Sequence, residues 1–226
     1  MNSGTSKFLS RGLRISLAPF FYHMKDISEI EVHLYNNAAG EMCSHLFQSG
    51  VLLKVQVGAS IKNLLCEQLS LDKTYVDKRI TTIFLNSQPV DDIDKAIINN
   101  NDTLALSSAM PGLVGATLRR NSHLAPLRNN ITFKEYRNND DIQAYGLIHI
   151  KLFNLILQEA GPFLLQRGVV TGFEDLIDLF DNKMSEKIKG DLKIYSNGKK
   201  TSINEVRRSL KSNAEQKSVL LKLKIS

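Results

Sequence analysis

Gly50-Val51-Leu52-Leu53-Lys54-Val55-Gln56-Val57-Gly58-Ala59-Ser60-Ile61-Lys62-Asn63-Leu64-Leu65-Cys66-Glu67-Gln68-Leu69 changes its apolar period half-way, and that change decides the fold class. Val51 to Val57 reads as a strand, rich in branched apolar residues and closed by Gly58 and Ala59. Ser60 then stands where a helix N-cap is wanted. Its hydroxyl can accept a bond from a first-turn amide that has no partner inside the helix, worth about 1 kcal/mol. Ile61, Leu64, Leu65 and Leu69 follow at offsets of three, four and eight, one apolar stripe on a helix expected to end near Leu69. A strand delivering its chain into an amphipathic helix belongs to a mixed α and β fold.

The flanking sequence extends the pattern in both directions. Glu29-Ile30-Glu31-Val32-His33-Leu34-Tyr35 alternates polar and apolar residues, the period of a half-buried strand, and Asn36 to Gly40 reads as a turn cluster. Beyond the helix, Thr81 to Leu85 is a β-branched and aromatic strand, and Asn86-Ser87-Gln88-Pro89 turns the chain. Val90 to Ile98 fits a short strand plus a helical turn, Asn99 to Asp102 a tight turn, and Thr103 to Ser107 a last strand. The order is strand, strand, helix, strand, short element, strand.

That order is the ubiquitin-like β-grasp order. Phe84-Leu85-Asn86, Pro89-Val90, Asp102 to Leu106 and Met110-Pro111-Gly112-Leu113-Val114-Gly115-Ala116 together resemble the C-terminal part of the small sulfur-carrier proteins of molybdopterin and thiamine synthesis. The resemblance covers about residues 29–116. It implies a β-grasp fold and a recognition tail at Met110, Pro111, Gly112, Leu113, Val114 and Gly115 that meets a protein partner. The carriers end in a free Gly-Gly carboxylate that is activated with ATP. In this chain Ala116 follows Gly115 and 110 further residues follow that, so the sulfur chemistry requires cleavage after Gly115.

The segment 117–145, with Arg119, Arg120, His123, Pro126 and Arg128, reads as a linker or as a loop returning over the sheet. Residues 146–226 read as a second small α+β region. Leu147 to Phe153 alternates as a strand, and a helix from Leu155 is expected to be interrupted at Gly161-Pro162 and to end at Gly168. Phe173 to Phe180 is a short amphipathic helix, and Leu192 to Tyr195 a strand entering an Asn197-Gly198 hairpin turn. Ser202 with Glu205 forms a capping box. Ser218 to Ile225 closes the chain as a strand, expected at a sheet edge that Lys222 and Lys224 guard.

Charge is uneven along the 226 residues. Residues 1–25 hold four basic residues and no acid, residues 26–116 six against eleven, and residues 117–226 nineteen against twelve, giving +6 in all. The acid-poor, serine-containing start fits either a disordered or mis-assigned start, with Met24 as the true one, or a transit peptide. Two cysteines are too few for a disulfide framework, and Cys66 is expected as a small buried apolar group. No apolar run has the length of a membrane span. A cytoplasmic protein is expected, or an organellar one if residues 1–25 are a targeting arm.

Catalytic and metal motifs are missing from the sequence. The five histidines have no zinc spacing, the His45–Cys43 pair reads better as structural, and Asp91, Asp92 and Asp94 lack calcium-loop spacing. No cofactor, metal or catalytic residue is therefore assigned. The expected function is a non-catalytic, β-grasp protein-interaction module. Nucleic-acid binding through Lys199, Lys200, Arg207, Arg208 and Lys211 is the alternative, because a basic helix face can neutralise phosphates. A sulfur carrier released after Gly115 is the second alternative. Oligomeric state is left open.

Overall fold

The computed structural model describes residues 28–34, 36–134, 144–184, 192–212 and 218–225. In chain order the elements are β1 (Ser28–Leu34), α1 (Asn36–Ser49), β2 (Val51–Val57) and α2 (Ile61–Asn63), which continues as a π-helical turn over Leu64–Gln68. Then come α3 (Lys73–Lys78), β3 (Thr82–Leu85), β4 (Gln88–Pro89), β5 (Thr103–Ser107), α4 (Gly112–Leu118) and a 3-10 turn at Ala125–Arg128. The second half contains β6 (Ala144–Phe153), α5 (Asn154–Arg167), β7 (Val169–Gly172) and α6 (Phe173–Asp178), continued as a π turn over Leu179–Lys183. β8 (Lys193–Ser196), β9 (Lys199–Thr201), α7 (Ile203–Ser212) and β10 (Ser218–Ile225) complete it. The class is α+β, as the sequence implies. Among the described residues no helix is long and apolar enough to cross a membrane.

The chain divides into two compact units, Lys54–Glu159 and a second built from the residues before 54 and after 159. In the first, the strands lie in the order β4-β3-β5-β6-β2. β3 runs antiparallel to both β4 and β5, while β5 runs parallel to β6, with Leu104 beside Ile150 and Leu106 beside Leu152. Ser60 caps α2 as its position demands, its Oγ accepting from the Asn63 amide at 3.2 Å. Ile61, Leu64 and Leu65 are fully buried and Leu69 nearly so, as are Val55, Ile83, Leu104 and Ile150 of the strands. The β3–β4 turn places Asn86 and Ser87 at φ of 50° and 69°, the left-handed region a two-residue hairpin requires. Asp102 ties the next turn, accepting from the Asn99 amide at 2.6 Å and from Asn86 Nδ2 at 2.8 Å.

In the second unit the order is β7-β10-β1-β8-β9, with β1 and β10 parallel. The expected hairpin turn is present, with Asn197 at φ 48° and Gly198 at φ 79°. The capping box forms as well: Ser202 N donates to Glu205 Oε2 at 2.9 Å and Glu205 N donates to Ser202 Oγ at 3.3 Å.

Several expectations need correction. The strand at Glu29–Tyr35 forms, over Ser28–Leu34, but lies between β10 and β8 in the second unit rather than beside β2. The division of the chain therefore departs from the 26–116 boundary. Asn36 to Gly40 opens a 14-residue helix, not a turn. Ala39, Met42, Cys43, Leu46 and Phe47, all buried, form a helical stripe that outweighs the weak propensity of Asn and Gly. The polar Asp72-Lys73 stretch starts α3, with Asp72 as its cap at 3.0 Å from Tyr75 N. α5 runs through Gly161-Pro162 without interruption. An interior proline costs about 3 kcal/mol, and burying Ile156, Leu157, Leu164 and Leu165 at about 1.5–3 kcal/mol each exceeds that.

β10 is an interior strand, not an edge, because β1 and β7 cover its two sides. Its lysines meet the glutamates of β1 instead of solvent: Lys222 Nζ lies 2.7 Å from Glu29 and Lys224 Nζ 3.8 Å from Glu31. Cys43 is the buried cysteine, and burial pushes its thiol up to about 12, while Cys66 is half-buried.

Two measurements check this account. Leu65→Ala should cost about 2–5 kcal/mol in denaturant unfolding, the price of a cavity at a fully buried leucine. The Glu205 carboxylate is held below its ordinary value of 4.5 by the Ser202 amide first and the Thr201 hydroxyl second. A depressed folded-state value means that its stabilisation is present above the ordinary carboxylate range and lost as pH falls through and below it. The amide shifts of α7 should therefore report fraying as the solution is acidified, and Glu205→Gln should remove that pH dependence.

Candidate functional site

Gly112-Leu113-Val114-Gly115 is short, apolar and glycine-framed, and the fold uses each of those properties. Pro111 supplies an extended residue before the helix, and Gly112 turns the chain into it at φ +78°. Gly115 is buried against the preceding backbone: a Cβ there would stand 2.1 Å from the Met110 carbonyl oxygen. The recognition tail expected at Met110–Ala116 is thus a helix start, α4, rather than an extended tail. Helical spacing then points Leu113 and Val114 outward, each 69% exposed.

The segment 117–145, expected as a linker or long loop, is folded over its described part, 117–134. The Arg128 side chain is buried and organises it. Its Nη2 lies 2.6 Å from Asp91 Oδ1, Nε donates to the Thr117 carbonyl at 2.6 Å, and Nη1 reaches Thr132 Oγ1 at 2.7 Å. One guanidinium so ties the end of α4, the 3-10 turn and the acidic β4–β5 connection. Phe133 is buried beyond it, its amide donating to the Pro89 carbonyl at 2.9 Å.

The consequence is an apolar surface. Leu127 is 73% and Ile131 53% exposed. A groove of about 310 Å³ runs between α4 and the 3-10 turn, with Val114 and Leu118 on one wall and Leu127 and Ile131 on the other. Large exposed apolar side chains scattered singly need no explanation, but four on one short stretch mark an interaction surface.

The acids singled out in the sequence are occupied within the chain. Asp91 pairs with Arg128, Asp94 with Lys62 at 2.7 Å, and Asp92 with Lys95 at 3.2 Å. Among the described residues no cluster of three His, Cys, Asp or Glu could hold a metal ion. His45 is part-exposed while Cys43 is buried.

The basic residues of the second unit are spread out. Lys199 and Lys200 lie on β9 and are exposed, and Arg208 is exposed on α7. Arg207 pairs with Asp181, beside a groove that also carries Glu174 and Asp178. The side chain of Lys211 lies outside the described residues, as do residues 1–25. Comparison with models of known protein families, with curated proteins and with solved structures gave no match for this chain.

Of the six partner-binding residues expected from sequence, Leu113 and Val114 reach the apolar groove or its rim, whereas Met110 and Gly115 face another cleft on the far side of α4. Leu127, Ile131 and Arg128 went unrecognised. The spacing of Val114, Leu118, Leu127 and Ile131 offered a faint apolar signal, but no single helical period links them.

Arg128→Ala should unfold this region first. We expect a loss of about 1–3 kcal/mol from the orphaned Asp91 and the two unfilled oxygen acceptors. Hydrogen exchange should show α4 and residues 125–133 losing protection while α2 keeps its own.

Proposed function

We propose that the unit Lys54–Glu159 is a β-grasp module that acts by binding a protein partner, without catalysis. The β-grasp reading is supported by its strand order. A β-grasp cradles its helix against a sheet with two parallel central strands, and β5 beside β6 supplies such a pair with β3 and β2 outside them. The difference from the sequence expectation is the source of the strand parallel to β5. It comes from residues 144–153, after the helix and hairpin, and not from residues 29–35.

The observation that carries the binding reading is the apolar groove beside α4, flanked by Leu113, Val114, Leu127 and Ile131. Truncating such anchors in a protein interface typically costs 2 kcal/mol or more where they are central. Release of a sulfur carrier by cleavage after Gly115 fits the chain poorly. A cut there would fall inside α4 and separate β6, a central strand of the unit, from β5.

The test is affinity capture from extract of the native host with the full-length chain and with Leu113→Asp and Leu127→Asp variants. Both positions are exposed, so thermal stability should stay unchanged. A partner held by the wild-type chain should be lost from both variants, with at least about tenfold weaker binding once purified. Retention of every captured protein by both variants would refute the docking surface.

A further inference from the structure

The opposite flank of α4 borders a second, more polar cleft of about 520 Å³. Its chemistry is set by Asp77, Thr81, Arg119, Arg120, Ser122 and His123, and its floor includes Met110 and Gly115. The volume falls within the roughly 300–1,000 Å³ range of small-molecule sites.

Four buried side-chain polar atoms among the described residues lack a hydrogen-bond partner: Tyr75 Oη, Thr81 Oγ1, Thr82 Oγ1 and Arg120 Nε. Two of the four, Thr81 Oγ1 and Arg120 Nε, belong to residues that line this one cleft. Native folds pair nearly all such atoms, because an unmet buried donor costs about 1–3 kcal/mol and more when it is charged. Thr81 is 8% exposed and is held in place through its own backbone, its carbonyl accepting from the Arg120 amide at 2.8 Å. Arg120 is fixed from the other side, Nη2 donating to the Val76 carbonyl at 3.2 Å. Both groups are thus pre-positioned on backbone, with a donor in hand and no acceptor.

The groups around them narrow the ligand. A guanidinium only donates, and a threonine hydroxyl can donate. Arg119 is exposed at the same cleft, and Asp77 is the one acid on its wall. Two guanidinium groups against one carboxylate leave the lining positive. Donor-rich, positive and partly enclosed, the cleft is matched by an oxyanion, for which charge-assisted bonds from arginine are about twice as strong as neutral ones.

We propose that this cleft binds a small ligand through a phosphate or carboxylate group, with Arg120 and Thr81 as the inner donors and Arg119 at the mouth. The site goes beyond the protein-docking reading and does not depend on it.

The full-length chain should be titrated separately with inorganic phosphate and with acetate, at ionic strength held constant with chloride, while backbone amide shifts are followed by two-dimensional NMR. Saturable shifts centred on residues 81 and 119–123 are expected, and Arg119→Ala and Arg120→Gln should each weaken them by about tenfold. Saturation by phosphate alone assigns a phosphate-bearing ligand, and saturation by acetate alone a carboxylate-bearing one. Arg119 is exposed, so its variant reports on binding even if Arg120→Gln fails to fold. Linear, unsaturated shifts with both anions would overturn the proposal, and so would saturation that Arg119→Ala leaves unchanged. Leu127→Asp should bind the anion normally, which separates this outcome from any failure of the docking surface.

Discussion

The parallel pairing of β5 with β6 is the constraint on which the first unit depends. Parallel neighbours cannot be joined by a tight turn; the chain must leave one end of the sheet and return to the other. Residues 108–143 make that return, and their described part builds α4, the 3-10 turn and the buried Arg128. The connection is long because the pairing demands it. Once long, it has apolar residues to place, and it cannot bury them all. Leu113, Val114, Leu127 and Ile131 are what stays outside. The candidate surfaces on both flanks of α4 are thus by-products of strand direction.

Charge follows a similar logic. The acidic stretch and the basic stretches look, as sequence, like surfaces awaiting partners. In the fold, Asp91 meets Arg128, Asp94 meets Lys62, and the glutamates of β1 meet the lysines of β10. The pairs on exposed ground contribute little, of order 0–1 kcal/mol each. Arg128 differs because its side chain is buried and every printed contact is an oxygen it donates to. Arg120 stands apart from both kinds: part-buried, bonded at Nη2 and left without an acceptor at Nε.

Much of the second unit obeys local rules that do not reach its topology. The Asn197-Gly198 turn, the Ser202–Glu205 box and the Gly168 stop, at φ +97°, all form where their residues stand. The strand at Ser218–Ile225 also forms, yet its lysines, read as guards of an open edge, lie beside β1. Helix α1 was legible in principle from Ala39, Met42, Cys43, Leu46 and Phe47, but the Asn-Asn-Ala-Ala-Gly start hides that stripe behind turn residues.

What the sequence determined by itself is therefore local: the Ser60 cap, the α2 stripe, the strands at 82–85, 103–107 and 144–153, and the turns between them. Each depends on residues within about ten positions, where period and cap chemistry act directly. Strand neighbours were decided by tertiary structure alone. An apolar stripe says that a face is buried and never against what, so β1 could be assigned to β2 as easily as to β10. The candidate site divides the same way. Leu113 and Val114 could be picked out along the chain, whereas the burial of Arg128 rests on Asp91, 37 residues away, and no local period records that distance.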